Sequence, residues 1–128
     1  MKNLPNWFKI PEKDYFWYIL QGYEIIYDQE NNKVLWLMDN KLHRLDGPAV
    51  IYSDGYQEWF VDDKLHRLDG PAAIYVYGSN GTQVWCVNDK RHRLDGPAII
   101  YSDGTQMWFV DGKKYTEQEF NEKFAQLV

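Results

Sequence analysis

Short apolar runs recur along the chain, and each is closed by polar turn residues. The run Trp59-Phe60-Val61 is aromatic and β-branched and ends at Asp62-Asp63. Its equivalents end at Asp39-Asn40, Asn88-Asp89 and Asp111-Gly112, all pairs that tolerate a positive φ. A second kind of run, such as Ala49 to Tyr52, follows Gly47-Pro48 and ends at Ser53-Asp54-Gly55. Pro48, Pro71 and Pro97 suit the first position of a strand, where a missing N–H is tolerated. The pattern predicts units of two antiparallel strands of about five residues, strung together as consecutive hairpins.

The units are copies. Three segments align directly: WLMDNKLHRLDGPAVIYSDGYQ from Trp36, WFVDDKLHRLDGPAAIYVYGSNGTQ from Trp59 and WCVNDKRHRLDGPAIIYSDGTQ from Trp85. A fourth, truncated copy runs from Trp108 to Tyr115, and an eroded one appears at Gly22, where GYEIIY matches GPAVIY at Gly47. From Trp36 to Trp59, Trp85 and Trp108 the steps are 23, 26 and 23 residues. The three extra residues sit between Val76 and Asn80. Degenerate end copies are expected of a stacked array, because a terminal unit has a neighbour on one side only.

Outside the array the character changes. Thr116-Glu117-Gln118-Glu119 has the form of a capping box, and Phe120, Phe124 and Leu127 follow at helical spacing. A short C-terminal helix is predicted, covering the last hairpin. The head, from Trp7 to Tyr27, is the most aromatic stretch, and it reads as a cap followed by the eroded first hairpin. The whole chain, 1–128, is one domain: cap and degenerate repeat over 1–35, three full repeats over 36–107, then truncated repeat and helix over 108–128.

Both strand faces are apolar. Leu37, Phe60, Cys86 and Phe109 alternate with the tryptophans, which share their own face with Met38, Val61, Val87 and Val110. A freestanding sheet in water normally alternates apolar with polar residues. Something must therefore cover the second face: curling of the sheet, the head, the C-terminal helix or another protein chain.

The shared pattern W-x-x-D/N-x-K-x-H-R-L-D-G-P-A-x-x-Y resembles the MORN repeat (membrane occupation and recognition nexus) over Gly22 to about Tyr115. It is a divergent form, with His43-Arg44, His66-Arg67 and His92-Arg93 where the common repeat has His-Gly. The resemblance implies an elongated antiparallel sheet of hairpins that serves as a scaffold or binding surface, and does not imply an enzyme. The HRLDGPA form is similar to repeats of bacteriophage, giant-virus and bacterial proteins, and that similarity implies such a source.

Composition narrows the function classes. The 128 residues carry 14 bases, 19 acids and a net charge of −5, with a pI near 5.1. No basic face is expected, so neither nucleic acid nor an anionic membrane surface is an expected partner. No stretch approaches a membrane span, and residues Met1 to Pro11 lack the apolar core of a secretory signal. The single cysteine, Cys86, excludes an internal disulfide and suits a reducing, cytoplasmic setting.

His43, His66 and His92, each three residues before Asp46, Asp69 and Asp95, are the chief candidates for chemistry. Strands lie ~4.8 Å apart, which sets successive histidines roughly 9–10 Å apart and too far to share one zinc ion. No nucleophile repeats with them, so His43, Arg44, Asp46, His66, Arg67, Asp69, His92, Arg93 and Asp95 read as a structural corner motif. No cofactor, metal or catalytic residue is expected. Contact specificity should come from residues that differ between units: Tyr56, Glu58, Val76, Tyr77, Ser79 and Asn80. The expected role is a protein-binding repeat module, acting as a small phage or bacterial inhibitor or adaptor, with a second copy of the chain among the candidate partners. The alternative is a small-ligand or nucleotide binder using the arginine edge or the aromatic head.

Overall fold

The computed structural model describes residues 3–77 and 80–125, without the side chains of Tyr77 and Asn80. Helix α1 (Glu12–Leu20) opens the chain, followed by β1 (Glu24–Asp28), β2 (Lys33–Met38), β3 (Lys41–Leu42) and β4 (Val50–Tyr52). Then come β5 (Gln57–Glu58), β6 (Phe60–Val61), β7 (Lys64–Leu65), β8 (Ala73–Tyr77) and β9 (Asn80–Val84). The last elements are β10 (Cys86–Val87), β11 (Lys90–Arg91), β12 (Ile99–Ile100), β13 (Gln106–Val110), β14 (Lys113–Tyr115) and helix α2 (Glu117–Phe124).

One large antiparallel sheet runs β1-β2-β4-β5-β8-β9-β12-β13 in spatial order, each strand beside the next hairpin's, as consecutive repeats require. Each unit has more parts than the expected pair of strands. Strand pairing in the main sheet stops at Trp59 and Trp85, and the chain beyond pairs only with its own return strand: β6 with β7, and β10 with β11. Asp62-Asp63 and Asn88-Asp89 both hold two successive positive φ values, 49° and 66° in each case, the geometry of a tight two-residue hairpin. That hairpin takes up the strand's last residues before the corner His-Arg-Leu-Asp-Gly-Pro turns the chain back to the main sheet.

These small hairpins are tied to one another. The Asp63 backbone N–H donates to the Leu42 carbonyl at 2.9 Å, and the Asp63 carboxylate accepts from the Leu42 N–H at 2.7 Å. Asp89 repeats both bonds with Leu65, at 2.9 and 2.7 Å. Of the apolar residues that alternate with the tryptophans, Phe60 packs on the cluster that holds Ala49 and Val34, and Phe109 joins Ala98 and Ile99. Cys86 is buried, and burial pushes its thiol pKa up.

The ends are capped by different means. The head forms a helix that the hydrophobic pattern did not predict. Gly22 (φ 101°) ends α1, with Tyr23 N–H bonded to the Tyr18 carbonyl and Gly22 N–H to that of Ile19, each at 3.1 Å. This pair of bonds satisfies the helix's last carbonyls. Tyr18, Tyr23, Ile25, Val34, Trp36 and Ala49 then form the larger of the two core clusters among the described residues. At the other end α2 has the expected capping box: Thr116 Oγ1 accepts from Glu119 N–H at 3.1 Å, and the Glu119 carboxylate accepts from Thr116 N–H at 2.9 Å. Phe120 is buried and Phe124 packs edge-on against Tyr115. Leu127, the third residue of that predicted face, lies outside the described residues.

Candidate functional site

The three corners share one geometry. Arg44, Arg67 and Arg93 lay their guanidinium carbons 4.1, 4.0 and 4.0 Å from the ring centres of Trp36, Trp59 and Trp85. Each Nε donates to the aspartate two residues on: Asp46 at 3.0 Å, Asp69 at 2.9 Å and Asp95 at 2.8 Å. Each Nη1 donates to the carbonyl of Pro48, Pro71 or Pro97 at 3.1 Å. A flat guanidinium suits this role because it stacks and forks its donors at once, which an ammonium does not.

The glycine of the corner follows from the arginine. A Cβ on Gly47, Gly70 or Gly96 would stand 2.8, 2.8 or 2.9 Å from the guanidinium carbon of that unit's arginine. Only a bare Cα leaves the guanidinium its place on the tryptophan.

The histidines act between units. The Nδ1 of His43, His66 and His92 accepts the backbone N–H of Asp62, Asn88 and Asp111, at 3.2, 3.1 and 3.0 Å, in the next unit's turn. The aspartate three residues after each histidine is bonded instead to the arginine between them. So the structure brings arginine and aspartate together within a corner and sends the histidine to its neighbour. Among the described residues, no group of three or more His, Cys, Asp and Glu side chains is placed to hold a metal ion.

Electrostatics agree with this pairing. The hydrogen bond and the charge of Arg67 hold the Asp69 carboxyl below its ordinary pKa, and the bond from Arg93 does the same for Asp95. At Asp46, burial pushes the pKa up, but the hydrogen bonds from Tyr18 and Arg44 and the Arg44 charge pull it down, and the net shift is downward.

The unit-specific residues fall into two groups. Glu58 stands between Tyr52 and Tyr75, accepting their hydroxyls at 3.0 and 3.3 Å, and the Tyr56 ring packs edge-on against both. Burial first, and the Glu58 charge next, push the Tyr52 pKa up to about 12. Tyr56 and Glu58 therefore belong to a tyrosine network on the sheet. The inserted residues lengthen the β8–β9 hairpin, which pairs Val76 with Gly81 and Tyr77 with Asn80, and Val76 is exposed. Ser79 and the side chains of Tyr77 and Asn80 lie outside the described residues.

A further surface was not foreseen. Phe16, Trp17 and Leu20 of α1 are 50, 52 and 83% exposed, and their i, i+1, i+4 spacing sets them on one side of the helix. The signal was present in Pro11 followed by Glu12 and Asp14, a proline and acids at a helix start. Leu45 and Leu68 are also exposed, at matching places in the first two corners.

Comparison with protein-family models, with curated proteins and with solved structures finds no match.

Proposed function

We propose that the chain is a protein-binding repeat module of the MORN-like kind, a small phage or bacterial inhibitor or adaptor that works by occupying a partner. The observation that carries this reading is the α1 surface. The array anchors the helix through Tyr18, while Phe16, Trp17 and Leu20 stand out together in water. Exposed aromatic side chains clustered on an ordered element are typical anchors of protein interfaces. The exposed Val76 hairpin is a second, unit-specific contact. The small-ligand or nucleotide alternative draws less support, because each corner arginine already has an indole face, a carboxylate and a carbonyl as partners.

The test is site-specific photo-cross-linking with p-benzoylphenylalanine at Trp17 and Val76, and at exposed Asn121 as a control, in an extract of the native cells. A discrete protein adduct from Trp17, absent from Asn121, is expected. No adduct from either Trp17 or Val76 would overturn the reading.

A further inference from the structure

The first corner carries an occupant of its own. Tyr18 of α1 stacks edge-on against Trp36, with ring centres 6.0 Å apart, and lies 5.2 Å from the Arg44 guanidinium. Its hydroxyl donates to Asp46 Oδ2 at 2.8 Å and accepts from Arg44 Nη2 at 3.1 Å. One phenol thus closes both groups that the corner's internal bonds leave over.

The third corner has the same parts in the same register, 49 residues on: Trp85, Val87, His92, Arg93 and Asp95 correspond to Trp36, Met38, His43, Arg44 and Asp46. Here no side chain among the described residues bridges Arg93 Nη2 and Asp95 Oδ2. In its place is an open cleft of about 710 Å³ between the second and third corners, lined by Arg67, Pro71, Trp85, Val87, Arg93 and Asp95 among others.

We infer that this cleft binds a tyrosine side chain of a partner protein, held as the first corner holds Tyr18. The chemistry selects for it. The indole and Val87 offer an apolar wall to a ring, and the adjacent donor and acceptor suit a single hydroxyl that does both. An anion would meet Asp95, and a cation would meet Arg93. The volume exceeds one phenol, leaving room for the segment that bears it, as α1 bears Tyr18. The inference rests on the protein-binding reading and adds the partner's anchor residue to it.

The probe is p-cresol, titrated into the intact protein while NMR follows the Trp85 indole N–H and the Arg93 Nε–H. A saturable shift of both is expected, with a Kd on the order of 1 mM for so small a ligand. Toluene, which lacks the hydroxyl, should bind at least tenfold more weakly. Asp95→Asn should weaken p-cresol at least fivefold, and the wild-type comparison of the two probes decides alone if that variant misfolds. Equal binding of toluene, or shifts elsewhere, would overturn the site. A cross-linker at Leu68, on the cleft rim, should capture a tyrosine-containing peptide of the partner that p-cresol displaces. Capture of a second copy of this chain, or of a peptide without tyrosine, would overturn the occupant. Failure of p-cresol alongside a Trp17 adduct would sink the cleft and leave the protein-binding reading standing.

Discussion

The first and third corners are built from the same residues, yet they live in different surroundings. Trp36 is 1% exposed at the centre of the larger core cluster, beneath Tyr18 and Phe8, while Trp85 is only half-buried beside an open cleft. Their internal bonds match to within a few tenths of an ångström. The repeat sequence thus sets backbone, stacking and ion pair, whereas the neighbour decides burial. A side chain's contribution to stability should therefore follow its place in the array more than its place in the motif.

The largest test of that contrast is deletion of the two indoles. Trp36→Ala should cost about 3–5 kcal/mol, the range for emptying a buried aromatic site. Trp85→Ala should cost about half as much, since part of that ring already faces water. Urea denaturation of the two variants decides it, and equal losses would mean that the motif, not the neighbour, sets the energetics. Trp36→Phe should be milder than alanine because a ring stays in the site, and both variants shed the same polar group. The Trp36 indole N–H is buried with no hydrogen-bond partner among the described residues, and removing such a donor relieves a desolvation penalty.

The corner glycines sharpen the same comparison at smaller scale. Gly47→Ala and Gly96→Ala introduce nearly the same clash with the unit's arginine, at 2.8 and 2.9 Å. At the first corner the guanidinium is boxed in by Tyr18, Trp36 and Asp46, so it cannot yield, and a loss of about 1–3 kcal/mol is expected. At the third corner Arg93 borders the cleft and can swing outward, so Gly96→Ala should lie near the low end or below it. Melting curves of the pair give the answer; a Gly96→Ala loss as large as that of Gly47→Ala would show the cleft side to be as rigid as the capped side.

How far the sequence reveals these features depends on their range. The hairpin array, the turn residues and the C-terminal capping box were legible because each is a local pattern repeated or closed within a few residues. The bend at Trp59 and Trp85 was not, because an apolar strand that leaves its sheet has the same composition as one that stays in it. The histidine bond to the next unit was missed because its acceptor role spans about 20 residues and uses a backbone donor, which has no sequence signature. Helix α1 was hidden by its aromatic content. Phe16, Trp17 and Tyr18 favour strands by propensity, and the helix is held instead by its ends and by Tyr18 packing on the first corner.

The smallest expected effect isolates the hydroxyl that distinguishes the two corners. Tyr18→Phe keeps the ring on Trp36 and removes only the bridge between Asp46 and Arg44. At pH 7 the loss should be about 1 kcal/mol, typical of one hydrogen bond, moderated because the Asp46 carboxylate is half-exposed. Its pH dependence carries the sharper signature. Asp46 has a folded-state pKa below its ordinary 3.8, so it stabilises the protein above that value and loses the contribution as pH falls through the folded pKa. Burial alone would push the group the other way, and the Tyr18 hydroxyl is one of the two partners that reverse it. Without the hydroxyl the Asp46 titration should move upward, and the stability gap between wild type and variant should narrow as pH drops below 3.8. Asp95, held down by Arg93 with no tyrosine involved, should titrate unchanged in the same sample. Carboxyl-carbon NMR on both aspartates reads this directly. An Asp46 midpoint that stays put in Tyr18→Phe would mean that Arg44 alone governs the first corner, and the two corners would then be electrostatically alike despite the tyrosine.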